Sequence, residues 1–164
     1  MLSDKMLNSL NHQINREIYS AYFYLGMAAY ASSIGMDGVA NWFSAQVKEE
    51  LFHAQKMYDY VNQNGLKVNL EAIEEPPQDF TSVADLFAKT LAHEKNVTAM
   101  IKDLAALASE EKDAETGKCL QWFVKEQEEE EATPAGILAK LEGSDDAGVK
   151  EVDSELSKRV FKLS

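Results

Sequence analysis

Cysteine is nearly absent from this sequence, and its scarcity limits both crosslinking and location. Cys119 is the single cysteine, so a disulfide within the chain is impossible, and one thiol is typical of proteins of the reducing cytoplasm. Residues 1–5 lack the basic start and the apolar stretch of a signal peptide. We therefore expect a cytoplasmic protein in which Cys119 is a core or interface residue.

Long apolar runs and an excess of positive charge are also missing. No apolar stretch approaches the ~20 residues that a membrane span requires. The chain has 16 Lys and Arg against 28 Asp and Glu, a net charge of -12, which argues against binding to nucleic acid or to anionic membranes. Cations are favoured as partners, although a merely soluble acidic protein would carry the same charge.

The sequence does contain enough apolar material for one substantial core. Hydrophobic residues make up 45% of the 164 residues, which is typical of a globular chain and not of a disordered one. This length fits one domain, and we find no repeat or low-complexity tract. We therefore predict a single domain over residues 1–164.

Helical periodicity runs through most of the chain and predicts an all-α fold. Ser3 and Asp37 are placed to cap two helices, and residues 81–85 approximate a capping box. Residues 66–80 carry two adjacent prolines and could extend over ~50 Å, the length of a bundle whose helices measure ~42 Å. We therefore predict a four-helix bundle with one long crossover and parallel second and third helices. The predicted helices are 4–33, 38–64, 81–109 and 114–142, followed by a short C-terminal helix at about 148–161.

Polar residues interrupt the apolar stripe of each long helix near its midpoint. Glu50 and His53 are three residues apart, so they project from one helix face. Helices of similar length bring their midpoints to one level, with apolar layers above and below, and no Lys or Arg stands on an inward stripe there. We expect one buried polar layer that contains Glu17, Glu50, His53, Glu94, Gln127 and Glu130.

The burial of four uncompensated carboxylates demands an explanation. Each costs several kcal/mol, against a total stability of only ~5–15 kcal/mol. Shared protons, a hydrated core or bound cations would relieve this cost, and two divalent cations neutralise four carboxylates. Carboxylates with an imidazole and an amide suit iron or manganese better than a structural zinc ion. We predict a dinuclear metal site bridged by Glu50, with a hydrated polar core as the alternative.

These motifs resemble the ferroxidase centre of prokaryotic non-haem ferritins, and the similarity covers nearly the whole chain. It rests on residues 10–20, Glu17 with Tyr24, residues 50–53, Glu94 and residues 121–130. The resemblance implies a ferritin-like bundle with three iron sites and a redox-active tyrosine, Tyr24, beside them. The implied ligands are Glu17, Glu50 and His53 with Gln127 close by for the first iron, Glu50, Glu94 and Glu130 for the second, and Glu49, Glu126, Glu129 and Glu130 for the third.

Three of these assignments have plainer alternatives. Tyr24 is otherwise a core tyrosine with a satisfied hydroxyl. The acidic run 126–131 is otherwise a solvated face, although helical geometry turns Glu130 inward and Glu128 outward. Glu49 is ambiguous because it lies ~100° around the helix from Glu50.

The resemblance also implies an iron-storing ferroxidase. Fe(II) would be oxidised to Fe(III) by dioxygen or hydrogen peroxide at the paired site. The product would be stored as a ferric oxyhydroxide mineral inside a hollow homo-oligomeric shell of twenty-four subunits. The negative charge would then guide cations, and aromatic residues off the main stripe would form subunit interfaces. Those aromatic residues are Tyr19, Tyr22, Phe23 and Trp42.

Missing residues separate the chain from two related families. Bacterioferritins and rubrerythrins carry a second Glu-x-x-His, whereas Glu129 and Thr133 stand three residues after Glu126 and Glu130. Phe52 occupies the position of a haem-ligating Met, so we expect no haem, and one cysteine cannot supply an iron–sulfur domain. A di-iron oxidase or peroxidase without storage and a metal-free helical interaction bundle remain as alternatives.

Two features depart from the family pattern. Pro134 and Gly136 lie within a helix that is usually continuous, which allows a kink beyond the site. Lys158, Arg159 and Lys162 make the last helix more basic than the apolar plug of a four-fold axis.

Overall fold

The computed structural model describes residues 2–162, and these form a helical bundle. The four long helices agree with the predicted bounds to within two residues, which confirms the all-α fold. The fifth helix begins earlier than predicted and ends at Leu156, five residues before the predicted bound. The predicted domain, residues 1–164, extends beyond the described residues at both ends. The helices are α1 (Asp4–Ser33), α2 (Asp37–Gln63), α3 (Val83–Glu110), α4 (Ala114–Leu141) and α5 (Asp146–Leu156).

Side-chain caps define three of the four long helix starts. Ser3 accepts a hydrogen bond from the Met6 amide, and Ser82 accepts one from the Asp85 amide. The prediction that Asp37 caps α2 is wrong. Asp37 is the first residue of the helix, and Met36, at the N-cap position, makes no side-chain capping hydrogen bond. At the start of α4, Asp113 caps Thr116.

The proline in α4 does not break it. Pro134 and Gly136 both lie within one helix that continues to Leu141. None of the described helices is long and apolar enough to cross a membrane.

The long crossover makes α2 and α3 parallel. The rings of Phe43 and Phe87, each near the start of its helix, lie 5.2 Å apart between centroids. Tyr60, near the end of α2, is 2.8 Å from Thr116 near the start of α4, so α2 and α4 are antiparallel. The predicted one-crossover topology is therefore confirmed.

Two buried asparagines on α1 hold the crossover in place. Asn11 Oδ1 accepts from the Asn69 amide at 3.0 Å, while Asn15 donates to the Asn69 carbonyl at 3.0 Å and accepts from the Glu71 amide at 2.9 Å. These bonds replace the backbone partners that regular secondary structure would supply. A segment without helix or strand can therefore lie against the bundle.

The apolar core is divided by the polar layer into two clusters. One cluster surrounds the start of α1, and the other surrounds its end. Full burial of each large apolar side chain contributes about 1.5–3 kcal/mol, so the clusters fix the level of the residues between them. The first cluster includes Met6, Leu10, Ile14, Ile101 and Leu120, and the second includes Tyr24, Met27, Phe43, Leu86 and Phe87.

The aromatic residues predicted at subunit interfaces divide into two groups. Trp42 and Phe23 are buried in the second core cluster, so the prediction is wrong for these two. Tyr19 is half-buried against the same cluster. Tyr22 remains 47% exposed, as an interface residue of an isolated chain would be.

α5 lies directly on the start of α2. A Cβ atom added to Gly38 would come within 1.7 Å of the Asp153 carbonyl oxygen, so only glycine permits this approach. The Asp153 carboxylate also accepts a hydrogen bond from the Val39 amide at 2.8 Å. The position of α5 therefore depends on the absence of a side chain at residue 38.

We predict that Gly38→Ala displaces α5 and lowers the free energy of unfolding by about 1–3 kcal/mol, as overpacking does. Hydrogen exchange of residues 146–156 and urea denaturation would measure the two effects. Gly117→Ala is the matched control, because nothing lies within 4 Å of the added Cβ, and it should stabilise α4 by about 0.5–1 kcal/mol. Equal exchange in α5 for both variants would contradict the prediction.

Candidate metal centre

The four long helices bring the predicted polar residues to one level of the bundle interior. Each side chain stands on the inward stripe that also carries the core residues of its helix. None of the ion pairs among the described residues joins Lys or Arg to this layer. The exposed fractions are 2% for Glu17, 2% for Glu50, 1% for His53, 1% for Glu94, 4% for Gln127 and 7% for Glu130.

Glu17, Glu50 and His53 form the first ligand group. One ligand atom from each lies within 4.8 Å of the other two, and His53 Nδ1 is 3.5 Å from a Glu50 oxygen and 3.9 Å from a Glu17 oxygen. Among the described residues, Glu17 Oε2 and His53 Nε2 are buried without a hydrogen-bond partner. Buried polar atoms without a partner are costly, so this group suits a cation.

Glu50, Glu94 and Glu130 form the second ligand group, again with ligand atoms within 4.8 Å of one another. Glu50 belongs to both groups, as a bridging ligand would. Tyr24 donates a hydrogen bond to one Glu94 oxygen. The amide nitrogen of Gln127 donates to the other at 3.1 Å and to the Thr98 hydroxyl at 3.1 Å, so Gln127 hydrogen-bonds to a ligand of this second group.

A third, outer group lies at the surface end of the layer. Glu49, His53, Glu126 and Glu130 offer ligand atoms within 4.8 Å of one another, and Glu49 and Glu126 are half-buried. Glu129 is exposed and does not belong to this group, although it lines the same cleft of about 520 Å³. The structure therefore brings together three of the four predicted third-site residues and adds His53 to them.

Two glutamines that sequence reasoning did not select also contact the layer. Gln13 donates to a Glu17 oxygen at 2.7 Å. Gln46 donates to Glu50 at 3.0 Å and to Glu130 at 2.6 Å. Both glutamines are buried and stand four residues before a carboxylate of the layer, a helical spacing that places the two side chains side by side. The Gln-x-x-x-Glu spacing is therefore the feature of the sequence from which these two contacts could have been predicted.

Burial and mutual repulsion favour the protonated forms of Glu50 and Glu94. Burial, followed by repulsion from Glu94 and Glu130, raises the pKa of Glu50 well above its usual value. Burial also raises the pKa of Glu94 to about 7, against the opposing hydrogen bonds from Tyr24 and Gln127. Near neutral pH the metal-free layer therefore lowers its negative charge by holding protons, which bound cations would replace.

The donor set indicates what this charge would be. Four carboxylates and one imidazole supply mainly anionic oxygen, which suits iron or manganese. Each of the two ligand groups that share Glu50 could hold one ion. The arrangement can therefore hold two cations close enough to share a carboxylate, with a third at its surface end.

Comparison with known proteins agrees with this geometry. The family model for the ferritin-like domain matches residues 7–144. The chain is 38% identical to the bacterial non-heme ferritin of Staphylococcus aureus strain MRSA252 over 98% of each chain. It is 43% identical to that of Staphylococcus epidermidis over 81% of this chain and 80% of the relative.

Solved structures show the same similarity in three dimensions. An open-pore ferritin from the hyperthermophilic archaeon Archaeoglobus fulgidus superposes with a TM-score of 0.96 at 48% identity, covering 98% of this chain and all of the other. An engineered closed form of that ferritin gives a TM-score of 0.97 over 99% of this chain. The chain therefore belongs to the ferritin family.

Proposed function

We propose that this protein oxidises Fe(II) at its buried dinuclear site and stores the product, as a bacterial-type non-haem ferritin. The observation that carries the proposal is the pair of buried ligand groups that share Glu50. The names of the relatives, bacterial non-heme ferritin and archaeal ferritin, support the same function. Iron is the substrate in this proposal and not a resident cofactor.

In the proposed reaction, one Fe(II) binds Glu17, Glu50 and His53, and a second binds Glu50, Glu94 and Glu130. Each Fe(II) gives one electron to dioxygen or hydrogen peroxide. Anionic oxygen ligands favour the ferric ion because of its higher charge, and this preference drives the oxidation.

Other polar residues tune these ligands. The Tyr24 hydroxyl fixes the orientation of Glu94, and its place beside the second group suits the redox role that the family resemblance implies. Gln127 donates to the same carboxylate. Gln13 and Gln46 position the remaining carboxylates, because amide donors hold an anionic oxygen in one orientation.

The outer group would provide a third iron site and a route out of the bundle. Glu130 and His53 belong both to this group and to the buried pair, so an ion could move between the sites while it keeps a ligand. Glu126 and Glu49 complete the group, and Glu129 at the rim of the cleft would attract ions toward it.

Storage requires a hollow shell, for which twenty-four copies are the family expectation. Large hydrophobic residues remain exposed on the outer faces of α1 and α2, which is typical of surfaces that other subunits cover. These residues include Tyr22 at 47%, Leu25 at 52% and Leu51 at 48% exposure. We propose a homo-oligomer of this kind in the cytoplasm.

We predict that Glu50→Gln abolishes paired iron binding. Anaerobic titration with Fe(II) should show affinity for both buried ions reduced by at least about 100-fold, since outer-shell changes alone cost 10–100-fold. The fold should remain, because the substitution removes a buried charge and keeps the shape. Glu128→Gln is the matched control on the exposed face of α4. Tight binding of two ions by the Glu50 variant would refute the dinuclear assignment.

We predict that the native particle contains many copies of the 18.3 kDa chain and forms a ferric mineral. Analytical ultracentrifugation would give the mass, and aerobic loading with excess Fe(II) would test for an electron-dense core. A lone dimer that oxidises iron without forming a mineral would instead support the oxidase or peroxidase alternative. A particle that binds no Fe(II) would support the metal-free interaction bundle.

We predict that the metal-free protein loses stability as the pH rises from about 4.5 through about 7. The pKa of Glu94 is raised from 4.5 to about 7 in the folded state, so the folded chain holds a proton that the unfolded chain releases, and its stabilisation is lost as the pH passes the folded value. Urea midpoints at pH 5 and pH 8 would measure the loss. Glu94→Gln should reduce this slope, and a metal-free midpoint that rises across the window would contradict the prediction.

A further inference from the structure

The segment that follows α5 lies against α2, beside the outer group. The side-chain amide of Asn41 donates to three backbone carbonyls, those of Leu156 at 3.3 Å, Ser157 at 3.3 Å and Arg159 at 2.9 Å. Farther along, the rings of Phe161 and Phe52 lie 6.2 Å apart between centroids. The segment therefore follows α2 past the level of Glu49.

Arg159 is held by three different contacts. Its guanidinium group lies 4.3 Å from the centre of the Trp42 ring and donates to the Trp42 carbonyl at 3.2 Å. Its other terminal nitrogen forms an ion pair with Glu49, and both side chains are 22% exposed. A stacked and hydrogen-bonded guanidinium loses little further conformational freedom when it pairs with a carboxylate.

This ion pair involves a ligand residue of the outer group. Glu49 is one of the four residues whose ligand atoms lie within 4.8 Å of one another. Arginine stays charged throughout the physiological pH range, so deprotonation cannot release the pair. At neutral pH a metal ion must therefore compete with the guanidinium for Glu49, whereas the buried groups contain no Lys or Arg that an incoming ion must displace.

We propose that Arg159 is a built-in cation of the outer group, which a third metal ion must displace from Glu49 before it can bind there. This inference rests on the proposed iron function of the buried groups. Arg159 makes the outer site the weakest of the three, so that iron fills the buried pair first. The outer site then binds an ion only transiently, and the ion pair between Arg159 and Glu49 forms again when the ion leaves.

The cleft around Arg159 supports displacement and not permanent closure. About 520 Å³ lies between Glu49, Glu126 and Glu129 on one side and Lys158 and Arg159 on the other. A partly exposed pair of this kind is moderately strong and is screened by salt. The guanidinium therefore has space to move aside when an ion arrives.

The test compares Arg159→Gln with the unchanged full-length protein by anaerobic calorimetric titration with Fe(II). We expect the substitution to raise the affinity of the weakest site by about two- to fivefold, the range of a partly exposed ion pair, and to leave the two tight sites unchanged. Lys150→Gln is the matched control, since Lys150 is an exposed residue of α5 that forms no ion pair with the described residues.

Two outcomes overturn the proposal. One is an outer-site affinity in Arg159→Gln equal to that of the unchanged protein, and the other is a lower affinity. Glu49→Gln, made alone and together with Arg159→Gln, should remove the difference between the arginine and glutamine forms. Failure of the unchanged protein to bind two tight Fe(II) ions would instead overturn the proposed function, so the two failures are distinguishable.

A fluorescence measurement gives a second readout. Trp42 and Trp122 are the two tryptophans of the chain, so Trp122→Phe leaves only the ring on which Arg159 stacks. At the third equivalent of Fe(II), the change in Trp42 emission should be larger in the arginine form than in Arg159→Gln, because only the arginine form loses a stacked guanidinium. Equal changes in the two forms would contradict displacement.

Discussion

The fold depends on one electrostatic constraint, the convergence of carboxylates from all four long helices in a layer where no Lys or Arg of residues 2–162 is buried. Desolvation and mutual repulsion both disfavour the charged state of this layer, as the raised pKa values of Glu50 and Glu130 show. The two apolar clusters must supply enough stability to hold it. Cations from outside the chain are then the natural counterpart of its folded state.

The topology of the bundle arranges these carboxylates as two ligand groups that share Glu50. The crossover makes α2 parallel to α3, and the asparagines of α1 fasten it along the bundle. Glu50 consequently reaches the middle of the layer, between the ligands of α1 and those of α3 and α4. A shared ligand at this point keeps two ions close together, which a two-electron exchange with one oxidant molecule requires.

The sequence was sufficient for the helices and the buried layer, because both follow from the 3.6-residue period. Glu17 and Glu94 could be recognised in the sequence because each is a charged residue on an otherwise apolar helix face. Helical periodicity does not predict the contacts between side chains of different helices. The C-terminal helix ends at Leu156 because Asn41 of α2 takes up the following carbonyls, and Gln46 contacts Glu130 of another helix. Long-range partners of this kind require the packed structure.

Burial also orders the sites by how firmly they hold charge. Glu17, Glu50 and Glu94 are almost completely enclosed, where an unpaired charge is most costly, and an ion that binds the buried pair displaces no Lys or Arg. Glu49 is 22% exposed and already paired with Arg159, so an ion there gains less. In the proposed function, oxidation takes place where ions are bound most firmly. The outer site, where an arginine competes for the ligand, holds the ferric product least firmly and therefore releases it most readily.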